Sequence, residues 1–178
     1  MKEVLAISHD EQPILNKLSE FDCRLDPDVE RFLKVKAIPY EKAHKCRTYL
    51  IVDSRFEGGL GPRILAYVSV ALSNLKVKEH VSKTMKKRLD GIFQNDEVPC
   101  YLIGQLGKND RYSHEIEGRE LINYAMNIIR IGHKAVGGRF VRIDVKRNDK
   151  LIRFYEENGF RLVQEDDESD LIQFARFF

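Results

Sequence analysis

Tryptophan is absent from the sequence, cysteine occurs three times and proline five. Cys23, Cys46 and Cys100 are odd in number and far apart, in a chain of 178 residues that is long enough to bury a core without covalent staples. That excludes a disulfide scaffold and predicts free thiols in a reducing cytoplasm. No apolar run approaches the ~20 residues of a membrane-spanning helix, so no membrane partner is expected. The opening "MKEVLAISHDEQ" lacks the apolar stretch and small-residue cleavage site of a signal peptide. Charge of one sign is not in excess either. The net charge is +2, and no global field selects nucleic acid or a lipid surface. His44 and Cys46 lack the spacing and partners of a zinc site, and no metal is expected.

What is present is a globular balance, 43% hydrophobic and 33% charged, without repeats, low-complexity tracts or linkers, so residues 1–178 are read as a single domain. Residues 2–7 form a short strand, and a polar, helix-compatible stretch runs through Glu20. Asp26 and Pro27 open a helix in the preferred order of cap and first turn, and Val29, Phe32 and Leu33 give it a buried face. Pro39 should end or bend it. Strands 47–54 and 64–75 flank the turn "RFEGGLGPR" as a hairpin. A charged, partly helical insertion follows. Strand 98–110 contains Gly104 and Gly107, which mark a bulge or a close approach. The most periodic helix covers 117–135, with Leu121, Ala125, Ile128, Ile129 and Gly132 on one side. Strand 139–145, a helix within "NDKLIRFYEENGF" (148–160) and two closing strands complete the chain.

This order predicts an α/β (α+β) fold. Its mixed, mostly antiparallel sheet has about six or seven strands, a central parallel strand-helix-strand unit and helices on both faces. A strand, a polar loop and a helix N-terminus also make a place where free N–H groups and the helix dipole favour phosphate. Lys108, Arg111 and Arg119 would add charge there. Within 148–160, Leu151, Phe154 and Tyr155 stand at i, i+3 and i+4, the spacing of an ordinary core face. The residues leave two readings open: a core face, or an aromatic hydroxyl placed at a reacting atom.

Order and motifs together resemble the GNAT superfamily of acyl-CoA-dependent N-acyltransferases over nearly the whole chain. "LSEFDC" before an acidic-capped helix, "CRTYLIVD", "LIGQLG" and "NDKLIRFYEENGF" fall in the family's order. Asn148, Phe154, Tyr155, Gly159 and Phe160 match its most specific pattern. The "FDC" start and the basic insertion look most like the branch containing tRNA-acetylating toxins. One motif departs. The family's pyrophosphate loop carries Gln or Arg, two residues, Gly, one residue, then Gly or Ala; "SHEIEG" keeps only Gly118 and adds Glu115 and Glu117.

The resemblance implies transfer of acetyl from acetyl-CoA to a primary amine by direct attack. It implies Tyr155 as the acid for the leaving thiolate. A phenol of pKa about 10 can protonate a thiolate whose conjugate acid lies near about 8.5. It implies Leu106, Gly107, Lys108, Arg111, Gly118, Arg119 and Asn148 as cofactor-binding residues. Candidates for a general base are Glu97, Asp110, His114, His44 and His80, and the sequence does not choose among them. Lys83, Lys86, Lys87 and Arg88 form either a solvated helix face or a surface for tRNA phosphates. The partner is then an amine of unidentified kind, with tRNA and a homodimer as further expectations. The alternative reading is an acyl-CoA-binding regulatory protein without turnover.

Overall fold

A computed structural model of the chain describes residues 2–7, 16–53, 62–93, 95–166 and 169–178. Among them are seven strands, β1 (Lys2–Ala6), β2 (Arg47–Asp53), β3 (Arg63–Lys76), β4 (Glu97–Lys108), β5 (Phe140–Lys146), β6 (Arg161–Glu165) and β7 (Leu171–Phe177). They join in the order β1-β2-β3-β4-β5-β7-β6. β1–β2, β2–β3, β5–β7 and β6–β7 pair antiparallel, whereas β4 and β5 pair parallel, with Tyr101 opposite Val141 and Ile103 opposite Ile143. The mixed sheet expected from the element order is the one found. Much of the turn "RFEGGLGPR" and of the stretch before Glu20 lies outside the described residues.

The helices bounded within the described residues include α1 (Pro27–Arg31), α2 (Ala37–Lys42), α3 (Lys83–Asp90), α4 (Gly118–Val136) and α5 (Asp149–Glu157). Asp26 caps α1 by accepting the Asp28 N–H, with Pro27 in the first turn. Pro39 does not end the helical run. A π turn, Phe32–Lys36, separates α1 from α2, and the Ala37 N–H bonds back five residues to the Phe32 carbonyl. A proline lacks the N–H of the regular ladder and crowds the carbonyl four residues back, here that of Val35, which lies within the wider turn. α4 buries Leu121, Ile122, Ala125, Met126 and Ile129, a stripe wider than the periodicity alone picked out.

The described residues fall into two compact units, and β3 and β4 contribute to both. The first holds the chain up to Ala71 together with Gln105–Ile128. Its core includes Phe21, Leu33, Ala37, Leu50, Val52, Ile64 and Tyr67. The Tyr67 ring meets Phe21 edge-on at 5.4 Å and its hydroxyl donates to the Val29 carbonyl at 2.6 Å. The second unit holds Leu72–Gly104 and Ile129–Phe178 around Leu75, Val77, Leu89, Val98, Cys100, Phe140 and Ala175. Burying side chains of this size stabilises by roughly 1.5–3 kcal/mol each.

Candidate active site

In the first unit, β4 ends at Lys108, one 3-10 turn covers Asp110–Tyr112, and α4 starts at Gly118. Six of the expected cofactor residues, Leu106, Gly107, Lys108, Arg111, Gly118 and Arg119, therefore lie along one strand-loop-helix segment. Asn109 builds the corner. Its Oδ1 accepts from the Arg111 N–H at 3.2 Å, and its Nδ2 donates to the Ile64 carbonyl at 2.9 Å. The first bond inside α4 runs from the Leu121 N–H to the Glu117 carbonyl at 3.1 Å. The N–H groups of Gly118, Arg119 and Glu120 precede that ladder and have no helical acceptor.

The cations of this segment are engaged differently from the simplest reading. Lys108 Nζ donates to the carbonyls of Ser113 and Ile116 at 2.8 and 3.0 Å, so it closes the turn. Arg111 Nε donates to Asp22 Oδ2 at 2.7 Å. The Arg111 guanidinium holds the Asp22 carboxyl below its usual range and is itself raised by that partner. Arg119 is exposed. Gly107 is buried, and its missing side chain is filled by neighbours: an added Cβ would lie 2.4 Å from Val29 Cγ1 and 3.0 Å from Tyr67 Cε1. Ile116, at a position where the resembled loop pattern has glycine, is 2% exposed and plugs the turn from within. Glu115, a charge unfavourable to a pyrophosphate, is bound by Arg63 through both oxygens. The sequence carries no sign of that pairing.

In the second unit, Asn148 caps α5, its Oδ1 accepting from the N–H groups of Lys150 and Leu151 at 3.0 and 3.3 Å. The other end is closed by Gly159 at φ +83°, a conformation that favours glycine, and by the Phe160 N–H donating to the Tyr155 carbonyl. Tyr155 is 8% exposed, with the rings of Phe154 and Phe160 edge-on at 5.1 and 5.7 Å. Leu151, expected on the same core face, is 39% exposed. The face is thus not a continuous core stripe: one tyrosine is singled out and clamped between two rings.

Of the base candidates, Asp110 accepts the Arg24 N–H through Oδ2 at 2.8 Å, and His44 Nδ1 lies 3.1 Å from Arg47 Nη2. Glu97, His80 and His114 are exposed. No cluster of metal-ligating side chains occurs among the described residues. On α3, Lys83 and Lys87 are exposed and Lys86 is half-buried. Arg88 is used otherwise, its guanidinium lying 4.2 Å over the Phe177 ring. An apolar groove of about 500 Å³ in the same unit is lined by Leu72, Pro99, Tyr101 and Val136. Burial pushes the thiol of Cys100, also at that groove, up to about 11.

The chain has the GNAT fold, and solved structures share it end to end. A tyrosine-to-phenylalanine mutant of KacT is 22% identical, covering 98% of this chain and 94% of its own, with a TM-score of 0.73. AtaT complexed with acetyl-methionyl-tRNAfMet is 20% identical over 100% of this chain and 94% of its own, with a TM-score of 0.75. A tyrosine-to-phenylalanine mutant of the AtaT toxin, bound to the C-terminus of the antitoxin AtaR and acetyl-CoA, is 17% identical over 98% and 92%, at 0.69. No family model and no curated protein matches the chain.

Proposed function

We propose that the chain is a cytoplasmic, acetyl-CoA-dependent N-acetyltransferase that acetylates a primary amine by direct attack. The observation that carries this reading is Tyr155, buried between Phe154 and Phe160 in a GNAT fold shared over 98% of the chain with a toxin solved with acetyl-CoA. Acetyl-CoA supplies an activated thioester whose thiolate leaves. The side chains suit it. Amides of Gly118, Arg119 and Glu120 offer donors to a diphosphate, and pairing with Arg63 reduces the repulsion of Glu115. Leu106 and its strand neighbours lend backbone groups to the pantetheine arm, and Asn148 sets the start of the helix that carries Tyr155. The Tyr155 hydroxyl delivers the proton to the departing sulfur. Calorimetry with acetyl-CoA at low salt tests the reading. Absence of heat and of any thermal shift at millimolar concentration rejects the enzyme, and binding without thiol release supports a non-catalytic acyl-CoA-binding protein.

Two observations support aminoacylated tRNA as the acceptor. α3 carries Lys83, Lys86 and Lys87 with no ion pair to them among the described residues, and AtaT has been solved with acetyl-methionyl-tRNAfMet. Replacing these three lysines by Gln should abolish acetyl transfer to charged tRNA and spare acetyl-CoA binding. The salt dependence of RNA binding should become shallower, by about one unit of slope for each phosphate that the protein no longer neutralises. Equal transfer by both proteins would reject the RNA acceptor.

A further inference from the structure

Arg63 opens β3 and Glu115 lies just before α4, 52 positions away, yet their side chains form a two-pronged ion pair. Nη1 donates to Oε1 and Nη2 to Oε2, each at 3.0 Å. Nη2 also donates to Asp53 Oδ2 at 2.8 Å, and the guanidinium lies 4.9 Å over the Tyr112 ring. A planar fork with fixed N–H directions can hold such an arrangement, and a lysine ammonium cannot. Lys108 fixes the same turn through the carbonyls of Ser113 and Ile116. The turn is therefore fastened at three points: Arg63 at Glu115, Lys108 at two carbonyls, and Ile116 buried beneath. Were Arg63 absent, the Glu115 carboxylate would stand uncompensated three residues before the helix start, against any approaching diphosphate.

We infer that Arg63 is a positioning residue for the diphosphate of the acyl donor: it offsets part of the charge of Glu115, turns that carboxylate to itself and holds the turn before α4, where a glycine-rich loop is missing. The inference rests on the acetyl-CoA reading above and adds to it a residue that never touches the donor. Titrations of wild type and Arg63→Gln with acetyl-CoA and with acetyl-pantetheine, which lacks the diphosphate, test it. Arg63→Gln should weaken acetyl-CoA about tenfold, equivalent to about 1.4 kcal/mol. Acetyl-pantetheine should bind as before, and adding Glu115→Gln should restore most of the affinity. Arg63→Lys keeps a cation against buried Asp53 without the fork, and should show a smaller but equally selective effect. Equal weakening of both donors, unchanged acetyl-CoA binding, or no recovery in the double variant overturns the inference. A wild-type protein that binds neither donor overturns the acetyltransferase reading itself, and this inference with it.

Discussion

A Cβ added at Gly107 would lie 2.4 Å from Cγ1 of Val29, closer than two carbons can approach. Val29 is branched and stiff, so the clash is not relieved by swinging a flexible tail. Gly107→Ala should destabilise the protein by about 1–3 kcal/mol through overpacking. Val29→Ala should cost stability by itself. In the Gly107→Ala background it should recover part of the stability, a coupling that a double-mutant cycle in urea measures directly. Strict additivity of the two changes would mean that the glycine is required for some other reason, such as approach of a ligand to the strand.

Tyr155→Phe removes one oxygen and leaves the ring between Phe154 and Phe160, so melting temperature and acetyl-CoA affinity should stay near wild type. Turnover should fall by about 10²-fold or more, the size of a missing general acid. Steady-state rates with a good amine acceptor decide the matter. An undiminished rate would return Tyr155 to the role of a packing residue.

Asp22 supplies a pH dependence with a definite sign. Its pairing with Arg111 sets the folded-state pKa below the ordinary 3.8. The stabilisation is therefore present above pH 3.8 and is lost as pH falls through the lower folded value. Arg111→Gln should bring the Asp22 carboxyl back toward 3.8, as followed by NMR titration of its side-chain carbon. If Arg111 turns to a bound donor's phosphates, acetyl-CoA should shift wild-type Asp22 in the same direction. A titration identical in wild type and Arg111→Gln would refute the pair.

The long periodic segments were legible because one face of each had to be buried. The helix expected over 117–135 spans Gly118–Val136, and the strand expected over 98–110 spans Glu97–Lys108. The parallel pairing of β4 with β5 followed from the crossover between them. The loop chemistry was not legible. Arg63 and Glu115 meet only because β3 and the turn before α4 are brought together by tertiary packing, and no local spacing encodes that. For Lys108 the sequence gives a charge but not the direction of its ammonium, which donates to the carbonyls of Ser113 and Ile116. Gly107 was legible as a place of close approach, but not that Val29 is what approaches. The π turn left no pattern beyond a proline in the wrong place.

That turn also decides where a charge can be buried. Each helical residue advances about 100° around the axis, so in a regular helix Glu41 would stand about 80° away from Leu33. The one residue added by Phe32–Lys36 takes back about a single step, which brings Glu41 to within about 20° of Leu33 on the inward side. There the carboxylate is 8% exposed, accepts the Thr48 N–H at 3.0 Å and pairs with Arg47 at 2.7 Å. The angular slip is thus what docks the helical run onto the first residues of β2, and straightening that turn into regular α-helix with every residue kept would swing the acid away from Leu33's side and leave the Thr48 amide without its acceptor.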